Sequence, residues 1–427
     1  MSRPVYLVDG ARTPFLKART GPGPFTPVDL AVQCGRPLLA RQPFGSEAID
    51  LVILGCVNVI PDEMNPARVA ALRLGLGETQ VAFTVQINCG SGMQSIDTAC
   101  RYVREGSHEM ILAGGAEALS HAPLVFHTEA VEWYAGLAAT RGPVDIARHM
   151  GRVRPRFLKP IIGLERGLTD PITDLDMGQT AELLAHHFDI TRSAADVYAV
   201  ESHHRLARAQ DADLLSEEVM PAFDRDGTVH DRDDGVRPDS SPEKLAGLTP
   251  VFEPPYGKVT PGNASQITDG GSWVLVASDA AVERYGLSPL ARIRDAEWSA
   301  LDPSIMGLGP VLSSTAILQR QQLGRDDIGV WEINEAFAAQ VLACLAAWQD
   351  EAFCRDVLGL DDVFGEIERG RLNVDGGAIS LGHPVGTSGN RIVLHLANAM
   401  RRKGATRGIA TECIGGGQGG AMLLEAA

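Results

Sequence analysis

Short β-branched or apolar runs alternate along the chain with longer stretches in which apolar residues recur at helical spacing. The runs include Val5–Val8, Leu51–Leu54, Met110–Ala113, Val274–Ala277 and Gly329–Ile333. Nearly continuous hydrophobic runs belong to strands buried on both faces, so the pattern predicts an α/β architecture with covered sheets. Two stretches resemble one another. In the first, Phe83–Cys89 leads into Gly-Ser-Gly, and a helix-period segment follows through Met93, Ile96, Ala99, Cys100 and Val103. Gly106 stops it and the strand segment Glu109–Glu117 comes next. In the second, Leu372–His383 leads into Pro-Val-Gly-Thr-Ser-Gly, and helical periodicity runs through Ile392, Val393, Leu396 and Met400. Arg401, Arg402 and Lys403 close that helix, Gly404 stops it, and a strand begins at Arg407. Basic residues in a last turn with glycine just after are C-terminal signals. Two copies of turn, helix and strand predict a fold of two similar halves, at a period too long for a solenoid.

Ser120–Pro250 breaks this rhythm. It carries more charge, two amphipathic helices near Thr180–Phe188 and Ser193–Gln210, and a polar, turn-rich run over Asp224–Pro242. It reads as an insertion between strands of the first half. The expected division is residues 1–119 plus 251–285 for the N-terminal half, 120–250 for the inserted domain, and 286–427 for the C-terminal half.

Composition narrows the function. The 427 residues include 46 glycines, and aromatics make up only 5%. Such a chain brings backbone close to backbone or to a ligand. The net charge of −16 argues against nucleic-acid binding through a broad basic surface. Seven cysteines, an odd number with no C-x-x-C spacing, support neither a disulfide framework nor a zinc site, and fit a reducing compartment. No metal site is expected. The N-terminus has no apolar signal core and no apolar stretch reaches spanning length, so a cytoplasmic protein is expected. Phe157–Leu164 is apolar among Arg152, Arg154, Arg156, Lys159 and Arg166; it reads as a packed loop, with membrane or partner contact as the alternative.

Four segments carry chemistry. In Asn88-Cys89-Gly90-Ser91-Gly92-Met93, Cys89 enters a helix at a glycine-rich turn, where free N–H groups and the helix dipole stabilise a thiolate. The alternative is a buried structural cysteine. His383 stands in a Gly-His-Pro turn just ahead of a helix, suited to take a thiol proton; the alternative is a surface turn histidine. Cys413 precedes three glycines that leave backbone N–H groups uncovered for an oxyanion, or that simply turn a hairpin. Asn334, after the run GVWEI, either polarises an oxygen or a water, or caps a helix.

Together these segments resemble the thiolase family, and the resemblance covers nearly the whole chain. The matching motifs are GARTPF (10–15), the Cys89 segment, GGAEALS (114–120), MGQTAE (177–182), PGNASQITDGG (261–271), NEAF (334–337), GGAISLGHPVGTSG (376–389) and CIGGGQGG (413–420). The resemblance implies a five-layered α/β/α/β/α fold with two similar halves and an inserted loop domain. It implies an acyltransferase in which Cys89 attacks a carbonyl and carries the acyl group, and His383 activates it and helps hold the thioester oxygen. Cys413 serves as acid or base on the carbon nucleophile or leaving group. Asn334 holds a water that forms one oxyanion hole with His383, and the N–H groups of Cys89 and Gly415 form the other. Ala264 and Ser265 belong to the segment that contacts the pantetheine of coenzyme A, and Met177, Phe252, Met306 and Phe337 line the apolar pocket. Coenzyme A or acetyl-CoA enters as substrate, with no permanently bound cofactor. Claisen chemistry needs a base beside a stabilised enolate and an acyl carrier that accepts and releases, which two thiols and an imidazole supply.

Within the family, Asp176 precedes Met177 where short-chain biosynthetic members usually carry His. The loop over residues 151–182 and the insertion Trp348–Arg371 look like the thiolase subunit of fatty-acid oxidation complexes, although those subunits often carry His-Glu-Ala-Phe where this chain has Asn334. The expected activity is therefore that of a 3-ketoacyl-CoA thiolase of β-oxidation, ahead of a short-chain acetoacetyl-CoA thiolase of biosynthesis. A β-ketoacyl synthase would carry His in place of Cys413. A hydroxymethylglutaryl-CoA synthase would need a catalytic Glu motif that is not found. An inactive lipid-binding or scaffold paralogue would have lost Cys89, His383 or Cys413. Family members are usually dimers or tetramers, so a homodimer or homotetramer is expected, with or without a hydratase–dehydrogenase partner.

Overall fold

The computed structural model describes residues 3–427. The N-terminal half contributes β1 (Val5–Arg12), α1 (Pro27–Ala40), β2 (Leu51–Gly55), α2 (Pro66–Arg73), β3 (Val81–Val85), α3 (Ser91–Glu105), β4 (Met110–Ala118) and, after a long excursion, β5 (Thr268–Ser278). In the excursion lie α4 (Thr128–Ala139), α5 (Pro143–Met150), α6 (Met177–His187) and α7 (Arg192–Asp211). The C-terminal half adds β6 (Ala291–Ala300), α8 (Gly309–Gln321), β7 (Val330–Ile333), α9 (Ala338–Ala347), α10 (Val385–Lys403), β8 (Arg407–Ile414) and β9 (Gln418–Glu425).

The two halves repeat one topology. In the first, β3 and β2 pair in parallel, β2 and β4 in parallel, β4 with β5 antiparallel and β5 with β1 antiparallel. In the second, β7 pairs with β8 in parallel, β8 with β9 antiparallel and β9 with β6 antiparallel. The edge strands β1 and β6 meet through Tyr6↔Arg292 and Leu7↔Ala291, which joins the two sheets into one continuous ladder.

Three apolar clusters show why five layers form. Strand side chains alternate between faces with a period of two, and here both faces are apolar. Ile111, Ala113, Val274 and Val276 of the first sheet, with Ala410, Met422 and Leu424 of the second, pack on the central helices α3 and α10. The intervening residues Leu112, Trp273 and Leu275 face α1 and α2. Trp331, Ile409 and Leu423 face α8 and α9. The order is thus helices, sheet, the α3/α10 pair, sheet, helices. The two central helices end as their patterns predict, with Gly106 at φ 78° and Gly404 at φ 63°. Their N-terminal turns touch: a Cβ on Gly92 would lie 2.6 Å from the Asn390 backbone nitrogen.

The helices expected in the excursion form at Met177–His187 and Arg192–Asp211, and only the start of the turn-rich run joins a small hairpin, Ala222–Phe223 with Val229–His230, the rest staying turns and coil. Residues 157–164 hold a short strand, Ile161–Ile162, paired with Leu124–Val125. Phe157 there packs against Ala130 and Trp133 of α4, while Leu158 stays exposed. No helix among the described residues is long and apolar enough to cross a membrane.

Candidate active site

The four sequence segments converge. Cys89 ends the turn before α3, and Asn88 ahead of it adopts φ 45°, a left-handed backbone that asparagine tolerates better than most residues. That sharp turn lifts the sulfur out of the helix layer into a cavity of about 520 Å³. Cys413 reaches the same cavity from the end of β8, and His383 from the loop before α10. All six residues expected to bind substrate, Met177, Phe252, Ala264, Ser265, Met306 and Phe337, line it too. Asn334 and Gly415 are not among the residues of its wall, but Asn334 adjoins His383 and Gly415 adjoins Met177, which are.

Backbone hydrogen bonds sew these loops together. Ser265 N donates to Ala336 O at 2.9 Å, Ala338 N to Asn263 O at 2.9 Å, and His383 N to Gln266 O at 3.0 Å. Asn334 N donates to Thr411 O at 2.9 Å, two residues from Cys413. Helix α9 begins only at Ala338, so Asn334 is no helix cap; it is fully buried. Its Nδ2 lies 3.5 Å from His383 Nε2.

On the far side of the imidazole, His383 Nδ1 lies 2.6 Å from Ser388 Oγ, which donates in turn to Pro384 O at 3.3 Å. A serine hydroxyl has one hydrogen, so with that hydrogen spent Ser388 accepts from Nδ1. Burial, with the nearby positive charge of Arg391, depresses His383 to about 4, so the ring is neutral at pH 7 and able to accept a proton.

Cys89 departs from the thiolate expected of a helix N-terminus. Burial dominates and raises it to about 12, helped by the negative charges of Glu412 and Glu117; the N–H groups of Gly415 and of Cys89 itself point at the sulfur and pull the other way. At rest Cys89 is a thiol, and the neutral His383 ring faces the same cavity. Those two N–H groups are the pair expected to form an oxyanion hole. Gly415 opens the turn between β8 and β9, so the glycine run turns a hairpin and presents a donor at once. Asn88 Nδ2 donates to Gly415 O at 2.8 Å and ties the two turns together. Burial also pushes the Cys413 thiol well up, aided by the nearby Cys89 and Cys344 thiols.

Three supporting residues escaped the sequence reading. Glu335 is buried and accepts from Tyr198 Oη (3.0 Å), Ser202 Oγ (2.7 Å), Asn373 Nδ2 (2.9 Å) and Ile379 N (3.2 Å), anchoring the loop beside Asn334 to α7 and to the loop before His383. Glu117 accepts from Val57 N, Asn58 N and Gly386 N at 3.0, 2.8 and 2.9 Å, and burial raises it to about 7. Ser388 is the third. All three lie inside quoted motifs, so charged and hydroxyl residues within glycine-rich runs were the available signal.

Comparison with known proteins gives the family. A family profile described as Thiolase, N-terminal domain matches residues 5–280, and one described as Thiolase, C-terminal domain matches residues 287–426. The chain belongs to the thiolase family. As such it is an acyltransferase. It is similar to a beta-ketoadipyl-CoA thiolase of Pseudomonas aeruginosa, 37% identical over all of both chains, and to a 3-ketoacyl-CoA thiolase of Escherichia coli K12, 37% identical over 99% of each. Among solved structures, human mitochondrial 3-ketoacyl-CoA thiolase in complex with CoA matches all of this chain and 98% of its own at TM-score 0.84 and 34% identity. Bacillus anthracis acetyl-CoA acetyltransferase matches all of this chain and 99% of its own at TM-score 0.85 and 32% identity. The thiolase fold of this chain thus carries its two cysteines and histidine on one cavity, and no group of three or more His, Cys, Asp or Glu placed to hold a metal occurs among the described residues.

Proposed function

We propose that the chain cleaves 3-ketoacyl-CoA with coenzyme A, reversibly, to acyl-CoA and acetyl-CoA in fatty-acid β-oxidation. His383 Nε2 takes the Cys89 proton as the sulfur attacks the 3-keto carbon. The oxygen that gains charge is met by N–H donors already in place, which is where preorganisation lowers a barrier most. The C2–C3 bond then breaks, leaving an acyl group on Cys89, and Cys413 protonates the departing acetyl-CoA enolate at carbon. The coenzyme A thiol gives its proton to Cys413 and attacks the acyl-enzyme, and Cys89 leaves and recovers its proton from His383. Atoms and charges balance with no redox step. The observation that carries this reading is that Cys89, Cys413 and His383, brought from two loops and a strand end, face one cavity while the Cys89 and Gly415 N–H groups point at the Cys89 sulfur.

The short-chain alternative, acetoacetyl-CoA thiolysis or its biosynthetic reverse, uses the same residues; the similarity to an acetyl-CoA acetyltransferase supports it as the second reading. An inactive scaffold paralogue is disfavoured because all three reacting side chains are retained. The proposal extends to a homodimer or homotetramer in the cytoplasm, to association with a hydratase–dehydrogenase subunit, and to the division into 1–119 plus 251–285, 120–250 and 286–427. Membrane contact through the exposed apolar side chains near Leu158 is the weaker part of it. The test measures loss of 3-ketoacyl-CoA enolate absorbance with added coenzyme A, comparing kcat/KM from acetoacetyl-CoA to longer chains. Turnover rising with chain length supports β-oxidation, turnover confined to acetoacetyl-CoA supports the second reading, and none at any length overturns both. Light scattering with and without the candidate partner reads the assembly.

A further inference from the structure

Behind Asn334 lies a buried charge that the reaction above does not use. Arg391 stands on α10 and is almost fully buried. It is absent from the wall of the substrate cavity and lines a separate small one with Arg12, Glu218, Asp375 and His395. Its Nη1 is 3.6 Å from Glu332 Oε2, and its Nη2 is 3.5 Å from Asn334 Oδ1. Among the described residues its Nε has no hydrogen-bond partner, and neither has either oxygen of the buried Glu412, whose carboxyl burial pushes well up despite the opposing pull of the Arg391 charge. Charge buried with unmet hydrogen bonds is often less stable than apolar packing of the same volume, so stability alone does not explain this arginine.

We infer that Arg391 is a positioning residue for the thiolase reaction: it holds Asn334 with Oδ1 toward the guanidinium and Nδ2 toward His383, and so fixes the tautomer of His383 that leaves Nε2 without a hydrogen. The argument is one of donor count. A guanidinium has five N–H donors and no acceptor, whereas an amide presents an acceptor on one side and donors on the other. Only Oδ1 can face Arg391, which turns Nδ2 to His383 Nε2, 3.5 Å away. A donor there demands a lone pair on Nε2. The ring hydrogen then sits on Nδ1, where Ser388 Oγ accepts it at 2.6 Å and passes its own hydrogen to Pro384 O. Every link from Arg391 to Pro384 is directional, and the first link sets the sense of the rest. Both 3.5 Å contacts are long, so they orient Asn334 without occupying Nε2 tightly, and the lone pair stays open to the Cys89 proton.

This inference rests on His383 being the base, and its test is separable from that of the reaction. Kinetics are compared for the full-length protein and for Arg391→Gln, Arg391→Lys, Asn334→Ala and the Arg391→Gln/Asn334→Ala pair. Glutamine can turn either amide edge to Asn334; lysine keeps a donor-only cation. The expected result is that Arg391→Gln lowers kcat by about 10- to 100-fold, no more than the lower end of the 10²–10⁴ that a positioned base contributes, while KM moves less than about threefold. Arg391→Lys recovers part of the loss, and Arg391→Gln costs nothing further once Asn334 is alanine. An unchanged kcat in Arg391→Gln, or losses that multiply in the pair, would overturn the inference. A second measurement needs no arginine variant: in the ¹⁵N-histidine spectrum of the unaltered protein, with His383 assigned against His383→Gln, the ring must be the Nδ1–H tautomer. An Nε2–H ring overturns the inference even if turnover is normal. An Nδ1–H ring in a protein without turnover supports the orientation while removing the proposed reaction.

Discussion

His383 Nδ1 and Ser388 Oγ are 2.6 Å apart, across the loop-to-helix junction that opens α10. The hydroxyl accepts the ring hydrogen and so leaves the other nitrogen with a free lone pair, as the proposed base needs. Ser388→Ala leaves that hydrogen without its partner in a buried site. It is expected to lower kcat about tenfold, short of the 10²–10⁴ that a complete general base provides, with Ser388→Thr retaining most activity. Steady-state kinetics on a 3-ketoacyl-CoA read the difference.

Cys89 and His383 predict the pH dependence of the reactive thiol. With Cys89 raised to about 12 by burial, its thiolate fraction at pH 7 is small and grows about tenfold per pH unit. Iodoacetamide labelling at Cys89 should therefore accelerate from pH 7 to 10 with no plateau, and acetyl-CoA should protect it. With His383 lowered to about 4, kcat/KM should hold as pH falls to about 5 and drop only near 4. A labelling plateau below pH 8, or label spread evenly over the seven cysteines, would count against this pairing of thiol and imidazole.

His395 makes a stability prediction of the opposite sense. Burial opposes its charge, but Glu218 at 3.0 Å, Glu332 at 3.7 Å and Asp375 at 3.3 Å outweigh that and raise it to about 10. A folded-state value above the unfolded one of about 6.5 means the folded protein holds the proton more tightly. The contribution is complete below about pH 6.5 and is lost as pH rises toward 10. Urea midpoints of the wild type and His395→Gln should thus lie far apart at pH 6 and converge by pH 10.

Leu168 predicts acyl selectivity. It lines the substrate cavity and its carbonyl accepts from Met177 N at 3.0 Å, which fixes the backbone on which the side chain stands. Leu168→Trp fills apolar volume without touching Cys89, His383 or Cys413. The expected outcome is a kcat/KM lowered at least about tenfold for longer 3-ketoacyl-CoAs and little changed for acetoacetyl-CoA, since each displaced methylene is worth about 1–3 kcal/mol. Equal losses at all chain lengths would place this residue away from the acyl chain.

Much of this is legible in the order of the residues. The runs at Val5, Leu51, Met110, Val274 and Gly329 became strands because apolar residues on both faces leave a strand no stable place outside a covered sheet. The duplicated turn, helix and strand became the α3/α10 pair between two sheets of one topology. Asn334 resolved against the helix cap because α9 starts four residues later, a boundary that propensity does not set.

The sequence by itself determined which atoms are present for the chemistry, two thiols, an imidazole and glycine-exposed N–H donors, and the order in which they are strung. Only the tertiary structure decided their state. Whether Cys89 rests as thiol or thiolate depends on burial and on the charges of Glu412 and Glu117, which lie 323 and 28 positions along the chain and reach the sulfur only after folding. The direction in which His383 carries its hydrogen depends on Ser388, Asn334 and Arg391 meeting around one ring. Donor and acceptor are fixed by residue type, but protonation and orientation are properties of the surroundings, and those exist only when the five layers close.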